Sequence, residues 1–230
     1  MDEQTEQQSK EGKSLMKNPI VWLGLLLLIG GAGYWAVTSG VSEEFVAKVN
    51  GEGIEKRLFD VRFVQLRANY ETQGIAFADE DTIQLREQIL EDMINERLLI
   101  QYAKEQGILE QEELVEQEYQ LILSQFENEK ELEKRLADNN TSLQDIRISI
   151  SEQFMIRELA NQQAEQENIE VSKEEIQQAY DVAAAGGTEV PPLEEVQEQV
   201  EDYVRQQKIS QLIEVLLEQL RNEGSIEILS

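Results

Sequence analysis

The chain contains neither cysteine nor histidine among its 230 residues. Without cysteine there are no disulfides, no thiol nucleophile, no thiolate zinc site and no acceptor for a cysteine-linked lipid. Without histidine every Ser-His-Asp type triad is excluded, as is the commonest metal ligand. Positive charge is scarce as well. Twenty Lys and Arg stand against 47 Asp and Glu, giving a formal net charge of −27. Such a surface repels phosphate backbones, which argues against nucleic-acid binding. A Walker-type glycine-rich loop is missing too, so ATP-driven action is not expected. Carboxylate-only chemistry stays open, but among 47 acidic residues most Asp/Glu pairs are expected on solvated helix faces. No cofactor is implied. The absence of cysteine does not locate the protein, since it suits an oxidising compartment and also occurs in the cytosol.

What the chain does have is one long apolar run. Residues 20–37, "IVWLGLLLLIGGAGYWAV" from Ile20 to Val37, carry no charge. As a helix with a rise of about 1.5 Å per residue they span roughly 27 Å, close to the thickness of a hydrocarbon core. Trp22 lies near one end and Tyr34-Trp35 near the other, as interfacial aromatic belts require. Lys10, Lys13 and Lys17 precede the run and Glu43-Glu44 follow it, an asymmetry that puts the N-terminus in the cytoplasm. The expected order is a disordered cytoplasmic tail over 1–19, a transmembrane helix over 20–37, a polar linker over 38–44 and an extracytoplasmic domain over 45–230. The chain would then be a single-pass protein of the inner (cytoplasmic) membrane. The competing reading is a signal peptide cleaved near Val37-Thr38-Ser39.

Beyond the linker, "FVAKVNGEGI" (residues 45–54) alternates in polarity and turns at Asn50-Gly51, so it predicts a strand and turn. Helical periodicity follows. Leu58, Val61, Phe63, Leu66 and Tyr70 predict a first helix ending near Gly74. Leu90, Ile94, Leu98 and Tyr102, widened by Met93, predict a second that starts at 79–82 and stops at Gly107. Further helices are expected over about 111–126, over about 129–137, and from the capping box Ser142–Asp145 through Leu159. A sixth runs from the capping box Ser172–Glu175 to Asp181. A long last helix runs from Pro191-Pro192 to Gly224. "SIEIL" (residues 225–229) alternates like a strand. Pairing it with the first strand is the economical way to satisfy both. The fold class expected is mostly α, with the first and last short strands zipped together.

Several of these stretches resemble the SurA/PpiD/PrsA family of extracytoplasmic chaperones. They are "VAKVNGEGI" (46–54), "QLREQILEDMINERLLIQYAKEQGI" (84–108), "IEVSKEEIQQAYD" (169–181) and the segment from Pro191 to Leu229. In that family a parvulin prolyl-isomerase domain, with histidines in its active site, separates the last two. Here only "VAAAGGTEV", residues 182–190, bridges them, and the chain has no histidine. The resemblance therefore implies a SurA-like domain without prolyl-isomerase activity. The implied partners are unfolded or nascent secreted and envelope proteins, the membrane through residues 20–37, and the translocon, as for PpiD-type proteins.

Large, adaptable apolar side chains suit promiscuous contacts. Phe77, Tyr119, Phe126, Phe154 and Met155 are on that ground the candidate peptide-binding residues, with ordinary core packing as the alternative for each. Two functions fit: an ATP-independent holdase for unfolded clients, or an interaction protein that docks one fixed envelope or translocon partner. A remnant enzyme is the least favoured.

Overall fold

A computed structural model describes residues 44–75, 77–185 and 190–229. The tail, the apolar run at 20–37, most of the linker and residues 186–189 of the bridge lie outside the described residues. Among those described, no helix is long and apolar enough to cross a membrane.

The sequence opens into a hairpin of β1 (Phe45–Val49) and β2 (Glu52–Glu55). Asn50 and Gly51 turn it with φ of 52° and 86°, the paired positive angles of a two-residue turn whose twist matches the strands. Gly53 is required for a different reason. A Cβ there would fall 2.2 Å from the Phe45 ring. The last strand, β3 (Ile226–Ile228), pairs antiparallel with β1 in the register Ala47↔Ile228, Lys48↔Glu227, Val49↔Ile226. The sheet order is therefore β2-β1-β3, with β1 central. Asn50 locks the junction: its N–H donates to Ser225 O at 2.8 Å, and its Oδ1 accepts from Ser225 N–H at 2.8 Å. The expected pairing of first and last strands is present.

Helix α1 (Lys56–Thr72) buries Leu58, Phe59 and Val61, and packs on α2 (Asp79–Glu105) and the hairpin. Three acids, Asp79, Glu80 and Asp81, occupy the first turn of α2, where the helix dipole favours them. Asp81 also accepts the Ala78 N–H at 2.9 Å. The buried face of α2 is broader than the four-residue repeat suggests. Leu85, Ile89, Met93, Leu99, Ile100 and Ala103 join Ile94 and Leu98 in the core, while Leu90 and Tyr102 sit at its margin. Gly107, at φ 79°, follows the helix and lets Ile108 N–H reach back to Ala103 O at 3.0 Å.

Next come α3 (Glu112–Leu123), α4 (Glu129–Asp138) and α5 (Leu143–Gln166). The Ser142–Asp145 capping box forms in both directions. Ser142 N–H donates to Asp145 Oδ2 at 2.8 Å, and Asp145 N–H donates to Ser142 Oγ at 3.1 Å. Aspartate thus serves where glutamate is usual. The helix continues past Leu159, the last apolar residue named for it, to Gln166.

Two compact units emerge. The first comprises the described residues up to Ile156 together with Gly224 onward; the second is Arg157–Glu223. The second holds the end of α5, α6 (Lys173–Ala185) and α7 (Leu193–Glu223), with α6 packed on α7. Ser172 and Glu175 form the expected reciprocal cap at 2.7 and 3.2 Å. Lys208 of α7 closes onto Glu170 O at 2.6 Å and Glu175 Oε1 at 2.8 Å. The Lys208 bond, with the Ser172 donors, holds the Glu175 carboxyl down at about 2. α6 does not stop at Asp181. It runs on through Val182 and three alanines, the residues with the highest helix propensity, so the first part of the bridge is helical.

Removal of residues 225–230 should strip β1 of a neighbour and expose Ala47 and Val49, which are now fully buried. Lost ladder bonds and aliphatic burial predict a destabilisation of about 2–4 kcal/mol, read as a lower melting temperature by circular dichroism. An unchanged melting curve would show that β3 carries no load.

Candidate functional site

The helices α3, α4 and α5 converge on one apolar cluster: Val115, Tyr119, Ile122, Leu132, Leu136, Ile146 and Ile150. The i, i+3, i+4 spacing of each helix brings these side chains to a single face. Three of the five candidate residues meet here. Tyr119 is at the centre and fully buried. Its hydroxyl donates to Glu129 Oε1 at 2.6 Å, and the Arg147 guanidinium lies 3.4 Å from its ring centroid. Arg147 is held there by Glu116 at 3.2 Å. That pairing, after the Gln120 amide, holds the Glu116 carboxyl below its ordinary range. Burial, with the Glu129 contact, pushes the Tyr119 phenol up.

Phe126, in the turn after α3, and Phe154, on α5, are half-buried and lean on the rim of the same cluster. Leu121, on α3 close by in sequence, is 60 % exposed. Met155, one residue after Phe154, points into the core and is buried. Phe77 stands apart. It packs edge-on against Tyr70 of α1 with centroids 5.5 Å apart, in a loop flanked by the exposed Ile75 and Ile83. Tyr119 and Met155 are thus core residues, whereas Phe77, Phe126 and Phe154 offer partly open apolar surface. Residue type marked all five as large and apolar, but it does not separate a rim position from a central one.

Two features carried no sequence signal. One is a groove of about 480 Å³ beside the sheet, with Phe45, Phe59, Leu90 and Leu229 as apolar walls and Lys56 and Arg86 at its margin. Arg86 lies across the Phe59 and Phe63 rings at 4.7 and 5.0 Å, its charge stacked on apolar surface. The other is a charge inside the core. Arg97 of α2 is 5 % exposed and faces Glu52 of β2 and Glu152 of α5, each at 3.7 Å, too long for direct hydrogen bonds. Its Nε and Nη1, and Glu152 Oε2, have no hydrogen-bond partner. Burial pushes the Glu152 carboxyl up to about 8, against the attraction of Arg97 and Lys104 and with the repulsion of Glu96 and Glu110. Neighbouring Glu96 is also raised by burial, although Arg62 grips it with two bonds of 2.8 and 3.0 Å.

Tyr119→Ser empties the cluster centre and should cost about 3–5 kcal/mol in urea unfolding, whereas Phe77→Ser should cost under about 1 kcal/mol. For Glu152, the folded carboxyl at about 8 lies above its ordinary 4.5, so the folded state holds the proton more tightly. Its contribution is fully present below about pH 4.5 and is lost as pH rises through 8. Relative to Glu152→Gln, the native chain should lose on the order of 3 kcal/mol of stability between pH 5 and 9. Parallel melting temperatures for the two proteins across that range would refute a proton on Glu152.

Comparison with known proteins agrees with the architecture. Residues 9–136 match the family model described as SurA-like N-terminal domain. No curated protein matches the chain. The matched region covers more than half of the 230 residues and runs from before the apolar stretch into the last turn of α4. The chain belongs to the SurA-like N-terminal domain family, a chaperone-type family associated with prolyl isomerases.

Proposed function

We propose that the protein is a membrane-anchored, extracytoplasmic, ATP-independent holdase without isomerase activity. The observation that carries this reading is the partly open apolar surface of the helical body. Phe126 and Phe154 stand half-buried on the rim of a well-packed cluster, and Phe77 forms a second aromatic site. Rigid support beneath with apolar surface above suits transient contact with unfolded chains, which expose similar side chains. Family membership supports the same reading. The anchor is residues 20–37, with the N-terminus cytoplasmic and residue 38 onward outside, on the lysine asymmetry. The net charge of −27 adds a preference for basic clients and keeps clientless molecules apart. The absence of histidine and the nine-residue bridge support a role without catalysis.

Residues 42–230 should slow the aggregation of several unrelated unfolded proteins at micromolar concentration and without ATP. They should leave the cis/trans exchange of a proline peptide at its uncatalysed rate. Phe126→Ser and Phe154→Ser should weaken aggregation suppression more than they lower the melting temperature. If every client aggregates at its normal rate, the holdase reading fails and a fixed envelope or translocon partner becomes the leading function.

A further inference from the structure

The geometry points to the outer edge of β3 as a strand-addition site for an extended, apolar, lysine- or arginine-bearing segment of another protein. This deepens the holdase reading and rests on it. The β1–β3 ladder determines which backbone groups are free. Asn50 N–H donates to Ser225 O, and Leu229 N–H donates to Val46 O at 2.9 Å. In an antiparallel pair, hydrogen-bonded and non-hydrogen-bonded residues alternate. Ser225, Glu227 and Leu229 therefore turn their polar groups toward β1, and Ile226 and Ile228 turn theirs outward. Among the described residues no fourth strand takes them up. Ile228 and Leu229 are 57 % and 43 % exposed, large apolar side chains next to an open backbone edge.

Edge strands are usually protected by proline, by lysine or by a covering element. The three residues of β3 include neither proline nor lysine. Shortness and Glu227 are the protections they do have, and Glu227 sits opposite Lys48 of β1. Leu229 also lines the groove with Phe45 and Phe59, which gives a segment on this edge an apolar neighbour. The occupant is not a second copy. In the register that uses both outward residues, β3 against β3 sets Glu227 opposite Glu227, and the two chains each carry −27. Like charges directly opposite disfavour such a pair, and the net charges repel at long range. The same charge attracts a basic segment. Main-chain hydrogen bonds supply sequence-tolerant affinity, as a chaperone with many clients needs.

The test uses the full-length chain and a fluorescent peptide of about eight alternating valines and threonines with a lysine at each end. A second peptide is N-methylated at alternate residues, so that its pairing edge has no donors. Binding is read by fluorescence anisotropy, and aggregation suppression is measured in parallel. The expected result is at least about tenfold weaker binding of the N-methylated peptide, the worth of two backbone bonds. Ile228→Pro should give a similar loss with an unchanged melting temperature, because its N–H faces away from β1 and an edge strand tolerates proline there. The N-methylated peptide keeps the test decisive even if that variant folds poorly. Equal binding of the two peptides alongside intact aggregation suppression overturns strand addition and leaves the holdase reading standing. Loss of both peptide binding and aggregation suppression in the native chain overturns the holdase reading, and this inference with it.

Discussion

The pairing of β1 with β3 is the constraint on which the first unit depends. β1 is the middle strand, and its Ala47 and Val49 are fully buried. One of its neighbours, β2, is supplied by a two-residue turn and forms locally. The other arrives after a detour of about 170 residues, and Asn50 bonds Ser225 across a separation of 175 positions. Closing so long a loop costs only slightly more entropy than closing one half as long, because the cost grows with the logarithm of length. A whole helical unit can therefore lie between Ile156 and Gly224 without weakening the sheet. The kinetic consequence is larger. A contact this non-local forms late, and until it does β1 has an unpaired edge. The outer edge of β3, which no strand takes up among the described residues, is a smaller version of the same feature.

Legibility from the sequence followed the range of the interactions. Local devices could be read directly. The Asn50-Gly51 turn, the Ser142 and Ser172 capping boxes and Gly107 after α2 each depend on residues within a few positions. The end-to-end strand pairing could be read because two orphan strands had one economical solution. Helix ends were less certain. α5 continues to Gln166 and α6 runs past its expected end at Asp181 through Ala185, where three alanines favour the helix. Among the candidate site residues, side-chain type marked apolar character, but depth depends on what the other helices bring. Arg147 covers the Tyr119 ring from α5, and Phe126 lies in a turn.

Arg97 is the feature that sequence patterning hides most fully. It occupies an apolar-stripe position of α2 at the meeting of β2, α2 and α5. A buried arginine with two unpartnered nitrogens is a costly way to fill a core. Burial pushes the Glu152 carboxyl toward its neutral form, which spares the core a second buried charge and leaves Glu52 as the guanidinium's charged neighbour. The core is thus tuned by its charges, while the apolar surface that suits a chaperone lies on the rim of the other cluster. On the proposed reading, stability and client contact are served by different residues. Substitutions at Phe77, Phe126 and Phe154 can therefore separate the two.

The central claim is that this helical body meets many unfolded proteins through its open apolar surface. The most direct measurement places a photoreactive amino acid at Leu121 or Phe126 in the full-length protein, crosslinks in native membranes and identifies what is captured. The account predicts a varied set of newly made secreted or envelope proteins, diminished when protein synthesis is stopped beforehand. Capture of one folded protein at constant yield, whether or not synthesis continues, would contradict it.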